Sequence, residues 1–356
     1  MMRAVRELAQ NWPLLLKTLV IGTCGGYLFT LLQSPLPWMM GSLFACTVAA
    51  LAGVRLYMPN DVRRVWMVVL GVMLGAAFAP DVLDRLPGWG GVFAGMLAFT
   101  VAGAAAGAWF FRRVGRLDRR TAFFCAAPGG LGEMSLLGPA LGADERAILL
   151  SHSTRILMVM FIVPPAYRLL TDYVPPADLG GSRLTDLSLE DWGILAASAV
   201  VGGGAAKLLR IPAWQMVGPM LVSAAAHIGG LTDSRPPTEL LAAAQVFIGC
   251  GAGARFVGVR PRELGRTVAA SAMYYAAFLM VAFLVAGAVA AVGGFDFKAV
   301  HLAYTPGGFA EMNLIALSLD IDVAFVATHH TGRLFAVVIG AALIARMLWS
   351  PPRQRE

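Results

Sequence analysis

The stretch Pro128-Gly129-Gly130-Leu131-Gly132-Glu133-Met134 decides the fold, because a near copy, Pro306-Gly307-Gly308-Phe309-Ala310-Glu311-Met312, follows 178 positions later. Both copies lie in strongly apolar surroundings, where an interrupted helix and a carboxylate each cost free energy. Two such stretches at the same place in two halves of the chain indicate an internal duplication. We therefore look for function at these two stretches.

The composition is that of a membrane protein with many spans. Hydrophobic residues make up 58% of the chain, charged residues 14%, and the mean hydropathy is +0.70, whereas soluble proteins are roughly 45–50% apolar and about 25% charged. A pI near 9.6 would also suit nucleic-acid binding. The basic residues, however, lie in short clusters between apolar runs, which is typical of cytoplasmic loops of membrane proteins.

The sequence shows no pattern of metal-binding residues. The four cysteines lie in apolar segments without the spacing of a disulfide framework or a zinc site; they are Cys24, Cys46, Cys125 and Cys250. His329 and His330 are adjacent, so on a helix they point about 100° apart. The five histidines are too scattered to supply the ligand cluster of a copper oxygenase. We expect no cofactor, no metal site and no enzymatic activity.

Apolar runs long enough for membrane helices recur along both halves. In the first half they cover residues 12–32, 37–54, 64–80, 90–111, 121–142 and 147–168. In the second half they cover residues 192–208, 213–231, 241–257, 267–292, 299–319 and 323–347. We therefore predict an all-α protein with one membrane repeat over 12–170, an acidic external linker over 171–191, and a second repeat over 192–349. A signal peptide is the rival interpretation of the first run, but no small-residue cleavage site followed by a soluble domain is evident.

The two halves match across most of their length. The matching pairs, at offsets of 177 or 178, are Pro35/Pro212, Gly41/Gly218, Gly71/Gly249, Gly75/Gly253, Asp144/Asp322, His152/His330 and Arg155/Arg333. Among membrane proteins, such duplication is most typical of transporters built from repeats.

The number of crossings depends on whether each glycine-broken segment crosses the membrane or returns to the side it entered. If it returns, each half has five crossings, the second half is inverted, and 21 of the 28 Lys and Arg residues lie on the cytoplasmic side with 5 outside. If it crosses, there are twelve spans, and the count becomes 18 inside and 8 outside. Because positive residues accumulate in cytoplasmic loops, we predict ten spans in two inverted repeats, each with a re-entrant or discontinuous helix.

This topology places charged side chains within the membrane. If the chain reverses near Asp144, Glu133 lies 11 residues before the turn and Arg155 lies 11 residues after it. At 1.5 Å per residue, both are then about 16 Å from the turn and close to the bilayer midplane. Glu311 and Arg333 repeat this spacing in the second half. Two sets of charged residues are expected to converge there.

These groups have two interpretations. One is a structural Glu–Arg pair that ties hairpin to helix. The other is a transport pathway or proton relay, since intramembrane charges cost roughly 2.5–3.5 kcal/mol each and usually mark function. Free amide groups at a helix N-terminus also suit an anion. Our hypothesis assigns substrate binding to Gly129, Gly130, Arg155, Gly307, Gly308 and Arg333, and proton or ion coupling to Glu133, His152, Glu311 and His330.

The paired PGGLGEM and PGGFAEM stretches, each followed by an acidic turn and a His-x-x-Arg helix, resemble the bacterial membrane AbrB family, which is also labelled ammonia monooxygenase. The segments LPWMMGSL and IPAWQMVGPM, which open the halves, extend the resemblance over nearly the whole chain. The resemblance implies a duplicated membrane domain. The residues that match its motif are Pro128, Gly129, Gly130, Glu133, Pro306, Gly307, Gly308 and Glu311.

The family's names imply regulation of gene expression or an oxygenase, and the residues favour neither directly. A transcription factor needs a folded basic face for DNA, whereas the longest loop here is acidic. We expect a transporter in the bacterial inner membrane, with both termini cytoplasmic, that moves a small anionic metabolite, and our hypothesis is that protons are the coupling ion. The alternatives are a membrane sensor that affects gene expression indirectly and, more distantly, an oxidase. The expected partners are the lipid bilayer and the anion, without direct nucleic-acid contact, and a homodimer is left open.

Overall fold

The computed structural model describes residues 2–170, 183–259 and 264–349, and every regular element in these ranges is helical. The helices of the first half are α1 (Met2–Leu31), α2 (Pro37–Leu51), α3 (Asn60–Gly75), α4 (Val82–Arg85), α5 (Gly90–Arg113), α6 (Arg119–Ala126), α7 (Leu131–Ala140) and α8 (Glu145–Leu170). Those of the second half are α9 (Leu189–Leu208), α10 (Trp214–Ile228), α11 (Thr238–Gly253), α12 (Ala269–Gly293), α13 (Phe297–Tyr304), α14 (Phe309–Ser318) and α15 (Val323–Leu348). The predicted linker, 171–191, lies largely outside the described residues.

Within the described residues, five helical stretches are long and apolar enough to cross a membrane. They are Gln10–Leu31, Val82–Arg113, Glu145–Leu169, Gly265–Gly293 and Val323–Leu348. Because a bilayer core of about 30 Å needs roughly 20 apolar residues in a helix, each of these is sufficient by itself. The chain is therefore an all-α membrane protein, as its composition predicts.

The chain folds into two compact units, each built from both halves of the sequence. The described residues of the first unit fall within Met1–Pro80, Val163–Val259 and Leu317–Leu319. Those of the second unit fall within Asp81–Ile162, Arg260–Ala316 and Asp320–Glu356. The boundaries of the units therefore differ from those of the sequence repeats, because each unit contains segments of both repeats.

Glycines bring helix backbones together in the first unit. Helix α1 packs on α2, and α9 packs on α10. Gly25 and Gly41 face each other so closely that a Cβ on either would lie within 3 Å of the other's backbone. Gly202 and Gly218 make the same contact 177 positions later. These glycines permit an approach that any larger residue would prevent.

The first unit also joins helices of different halves. Helix α3 packs on α10, and α2 packs on α11. A Cβ at Gly71 would lie 2.5 Å from the Met216 carbonyl oxygen, and a Cβ at Gly249 would lie 2.7 Å from that of Met39. The second contact repeats the first with the halves exchanged. Each half therefore supplies one side of both contacts.

The core of the second unit forms around aromatic residues of α5, α6 and α12. Phe111, Phe124 and Tyr275 are fully buried. The Tyr274 ring packs against Phe111, with centroids 5.3 Å apart, and against Tyr275, at 4.9 Å. The Tyr275 hydroxyl donates a 2.8 Å hydrogen bond to the Cys125 carbonyl, close to the end of α6.

Each Pro-Gly-Gly stretch interrupts a helix of the second unit, which confirms the predicted breaks. Helix α6 ends at Ala126 and α7 begins at Leu131, whereas α13 ends at Tyr304 and α14 begins at Phe309. We call residues 127–130 the first break and residues 305–308 the second break. The apolar runs 121–142 and 299–319 therefore form two short helices each.

Each half continues with a long helix, α8 or α15, and this helix begins at the predicted acidic residue. The Asp144 carboxylate accepts from the Arg146 and Ala147 amides at 2.9 and 3.2 Å. The Asp322 carboxylate accepts from the Phe325 amide at 2.9 Å. A carboxylate at this position satisfies amide groups that have no partner within the helix. These caps fix the starts of α8 and α15.

Candidate functional site

The backbone turns tightly at both breaks. The Gly129 amide donates to the Ala127 carbonyl at 2.8 Å, and the Gly307 amide donates to the Thr305 carbonyl at 2.8 Å. Ala127 and Thr305 are extended, with ψ angles of 115° and 130°. A proline disfavours helical backbone in the residue before it and cannot donate a helical hydrogen bond. The helices therefore end two residues before the predicted prolines.

Glycines in the breaks make room for the glutamates. None of the four break glycines has a positive φ, so their backbone angles do not require glycine. A Cβ at Gly130 would instead overlap the Glu133 carboxylate, and a Cβ at Gly308 would overlap that of Glu311. Each carboxylate thus folds back over the N-terminus of its helix, where the dipole favours a negative charge. Glu133 is half-buried and Glu311 is buried.

Two buried histidines hold the helix ends that precede the breaks. His152 Nε2 lies 3.0 Å from the Phe124 carbonyl oxygen, and His330 Nε2 lies 2.9 Å from that of Leu302. Carbonyls in the last turn of a helix have no partner within it. Since only a protonated ring nitrogen can donate to a carbonyl, both rings carry a proton on Nε2.

Two buried arginines hold the breaks themselves. Arg155 Nη2 donates to the Gly129 carbonyl at 3.2 Å. Arg333 donates from Nη1 to the Thr305 carbonyl at 2.8 Å and from Nη2 to the Gly307 carbonyl at 3.1 Å. Both side chains are almost fully buried. Positive charge near a helix C-terminus is stabilising, so these bonds help to maintain the breaks.

The two sets of residues meet within the second unit. A Cβ at Gly130 would lie 3.3 Å from Leu334 Cδ1, and a Cβ at Gly129 would lie 3.1 Å from Val337 Cγ1, so helix α15, which carries Arg333, reaches the first break. Among the described residues, Glu311 forms no ion pair. Both buried guanidinium groups therefore donate to backbone carbonyls of the breaks.

The two arginines differ in their remaining bonds. Arg333 Nη2 also donates to His330 Nδ1 at 2.7 Å, and Nη1 lies 3.5 Å from the Ala303 carbonyl oxygen. By contrast, Nε and Nη1 of Arg155 are buried and have no hydrogen-bond acceptor within the described part of the chain. A buried charged donor without an acceptor is costly, so this difference needs an explanation.

The sequence did not point to Tyr275 or Ser151 as site residues. The Tyr275 hydroxyl and Ser151 Oγ lie 2.8 and 3.4 Å from the Cys125 carbonyl oxygen. The Tyr275 ring also faces the Arg155 guanidinium, with Cζ 6.0 Å from its centroid. The sequence feature that could have indicated Tyr275 is a pair of adjacent tyrosines, Tyr274 and Tyr275, within an otherwise apolar run.

No metal centre is evident at the site. Across residues 2–170, 183–259 and 264–349, no group of three or more His, Cys, Asp or Glu is arranged to hold a metal ion. His329 Nδ1 lies 2.8 Å from the Phe325 carbonyl oxygen, and its ring packs on that of Phe325 with centroids 4.0 Å apart. His329 thus lies in an aromatic environment.

Sequence comparisons identify relatives that cover nearly the whole chain. One, from Bacillus subtilis strain 168 and named "Uncharacterized protein YhjN", is 28% identical over 344 residues, which are 90% of this chain and 89% of the relative. Another, from Escherichia coli strain K12 and named "Putative regulator AbrB", is 25% identical over 339 residues, which are 91% of this chain and 94% of the relative. The family model described as "Transition state regulatory protein AbrB" matches residues 38–349, which include both breaks. The chain therefore belongs to the AbrB family.

Proposed function

We propose that this protein is a secondary transporter of small anionic metabolites. The observation that carries the proposal is the convergence of two buried guanidinium groups, Arg155 and Arg333, at two interrupted helices. Their hydrogen bonds go to backbone carbonyls of the breaks. Neutral carbonyls position a guanidinium but do not neutralise it.

An anion would offset the electrostatic cost of this arrangement. Two like charges in a region of low dielectric oppose each other, and each also carries a desolvation penalty. A bound carboxylate or phosphate would compensate both charges at once. The N-termini of α7 and α14 start at the same breaks and add the partial positive charge of a helix dipole.

Proton coupling is assigned in this proposal to Glu133 and Glu311. Each carboxylate lies over a helix N-terminus beside a break, where protonation would change the charge next to the anion. His152 and His330 hold the preceding helix ends. His330 would join the relay only when Arg333 has released its Nδ1.

The proposed topology is an inverted repeat in the bacterial inner membrane. In the first unit, α3 packs on α10 and α2 packs on α11, an exchange that a two-fold relation between the halves would produce. Five crossings in each half would place that axis in the membrane plane and both termini in the cytoplasm. Interrupted helices in inverted repeats are typical of substrate sites in secondary transporters.

The proposal gives the protein no enzymatic role and no direct contact with nucleic acid. Its partners are the bilayer and the anion, and we leave open a homodimer. A second candidate is a membrane sensor that binds the same anion without moving it and affects gene expression indirectly. The name "Putative regulator AbrB", borne by one relative, favours this candidate. Binding without flux would distinguish it from a transporter.

Flux measurements test the proposal. Purified protein in liposomes is assayed with a panel of radiolabelled small carboxylates and phosphate, with and without an imposed pH gradient. We expect uptake of at least one anion above that of protein-free liposomes, and its loss in Arg155→Met. If no anion in the panel moves under either condition, transport is rejected.

A further inference from the structure

The two arginines at the breaks occupy equivalent positions in the two halves, but they form different numbers of hydrogen bonds. Arg333 uses both terminal nitrogens, which contact three carbonyl oxygens and His330 Nδ1. Arg155 uses one, Nη2, for one carbonyl. Its Nε and Nη1 are buried without an acceptor in the described part of the chain. The difference leaves up to three N–H groups of Arg155 for another partner.

Part of the difference lies at one carbonyl, and the rest lies in the bonds of Arg333 to Thr305 and His330, which have no counterpart at Arg155 among the described residues. In the second half, the Ala303 oxygen lies 3.5 Å from Arg333 Nη1. The equivalent oxygen in the first half, that of Cys125, accepts from the Tyr275 hydroxyl at 2.8 Å and from Ser151 Oγ at 3.4 Å. The residues 178 positions from this pair are Leu97 and His329. Leu97 has no hydroxyl, so it cannot donate to the Ala303 carbonyl in the way that Tyr275 donates to the Cys125 carbonyl.

We propose that the anion binds at the first break, in direct contact with Arg155 Nε and Nη1, and that Tyr275 keeps these groups available by occupying the Cys125 carbonyl. Arg333 holds the second break and does not contact the anion. This inference rests on the anion site of the proposed function. It assigns different tasks to two arginines that occupy equivalent positions in the two halves.

The chemistry of the donors indicates the class of ligand. Three N–H groups on two nitrogens can be satisfied together by an anion with several acceptor oxygens, such as a carboxylate or a phosphate. The Arg155 guanidinium lies over the Tyr275 ring, with Cζ 6.0 Å from the ring centroid. The site is therefore expected to prefer an oxyanion to chloride.

Thermal unfolding of the detergent-purified full chain measures this binding without requiring transport. The probes are succinate and inorganic phosphate, each compared with chloride at equal ionic strength. We expect at least one oxyanion to raise the melting temperature in a saturable way. The variant Arg155→Lys, which keeps the charge, is expected to weaken the apparent affinity at least about tenfold, because a charged hydrogen bond is lost.

The variant Arg333→Lys serves as the matched comparison. It is expected to lower the melting temperature without ligand and to weaken the apparent oxyanion affinity of the folded protein less than Arg155→Lys does. Equal losses of affinity in Arg155→Lys and Arg333→Lys would overturn the asymmetry. So would the absence of stabilisation by both oxyanions.

Tyrosine variants test the positioning role of Tyr275. In Tyr275→Phe the Cys125 carbonyl keeps only the longer bond from Ser151 Oγ, so Arg155 can compete for it and we expect oxyanion affinity to fall by about threefold to tenfold. Tyr274→Phe is the control, because the Tyr274 hydroxyl donates at 2.8 Å to a different carbonyl, that of Gly103. A merely structural role for Tyr275 would lower the melting temperature without ligand and leave the affinity unchanged. Binding that depends on Arg155 without any flux would retain this inference and reject transport.

Discussion

Arg333 donates a hydrogen bond from Nη2 to Nδ1 of His330, one turn earlier on α15, at 2.7 Å. His330 Nε2 donates in turn to the Leu302 carbonyl, so one ring nitrogen accepts and the other donates. Arg333 also reaches the Gly307 carbonyl. The pair therefore connects the helix before the second break to the break itself.

Replacement of His330 by Ala tests this connection. The Leu302 carbonyl would lose its side-chain donor and Arg333 would lose an acceptor, both in a buried region. We expect the free energy of unfolding to fall by about 1–3 kcal/mol, measured by thermal unfolding in detergent. Thr328→Ala, on a half-buried position of the same helix, is the control. Similar losses in both variants would argue against the connection.

Gly130→Ala tests the position of the Glu133 carboxylate. The new Cβ would overlap the carboxylate and push it away from the N-terminus of α7, while the flexible side chain limits the loss of stability. We expect the pH dependence of anion flux to be lost, with a change in unfolding free energy below about 1 kcal/mol.

Gly132→Ala provides the control for that variant. A Cβ at Gly132 meets no atom within 4 Å, and alanine favours a helix over glycine by about 1 kcal/mol. This variant should keep wild-type flux at all pH values. If both variants retain the same pH dependence, the folded-back carboxylate plays no part in coupling.

Gly218→Ala tests the close helix contact in the first unit. A Cβ there would meet the Gly202 backbone, which cannot move aside as a side chain can. We expect a loss of about 1–3 kcal/mol, seen as a lower melting temperature. Gly204→Ala should be neutral or stabilising, because a Cβ at Gly204 meets nothing within 4 Å. If the melting temperature of Gly218→Ala equals that of the wild type, the close contact is refuted.

Acidification tests the N-terminus of α9. Asp191 accepts hydrogen bonds from Ser188 Oγ at 2.6 Å and Thr232 Oγ1 at 2.7 Å. These bonds lower the pKa of its carboxyl to about 2, below the ordinary value of about 3.9. Since the folded-state pKa is the lower one, the stabilisation is present above pH ~4 and is lost as the pH falls towards ~2.

The measurement is the melting temperature of the wild type and Asp191→Asn as a function of pH. We expect the wild type to lose more stability than the variant between pH ~4 and ~2. Glu190→Gln changes the neighbouring carboxylate and should follow the wild type. Parallel acid profiles for the wild type and Asp191→Asn would contradict the assignment.

Much of the architecture could be predicted because its signals are local. Proline followed by two glycines ends a helix wherever it occurs, so both breaks were predictable. The equal spacing of Glu133 and Arg155 about Asp144 predicted that the arginine would lie level with the break, and Arg155 does reach Gly129. Helix limits were less certain: the apolar run 64–80 corresponds to Asn60–Gly75, because the helix includes a polar first turn.

The partners of the arginines could not be predicted. A carboxylate can be read from the sequence as Asp or Glu. Every residue has a backbone carbonyl, however, and which carbonyls are free to accept a side-chain hydrogen bond depends on where a helix ends. The role of Tyr275 depends on a contact with Cys125, 150 positions earlier. No local sequence pattern near either residue indicates that contact. The grouping of helices into two units likewise depends on pairings between distant segments.

The exchange of helices between halves has a consequence for biosynthesis. Gly71 contacts Met216, which is made 145 residues later, so at a translation rate of about 5–20 residues per second about 7–30 seconds pass before this partner of α3 exists. During this time the glycine face of α3 lacks its native partner. A nascent chain that stops before α10 cannot complete either contact, and it should be a substrate for membrane quality-control proteases.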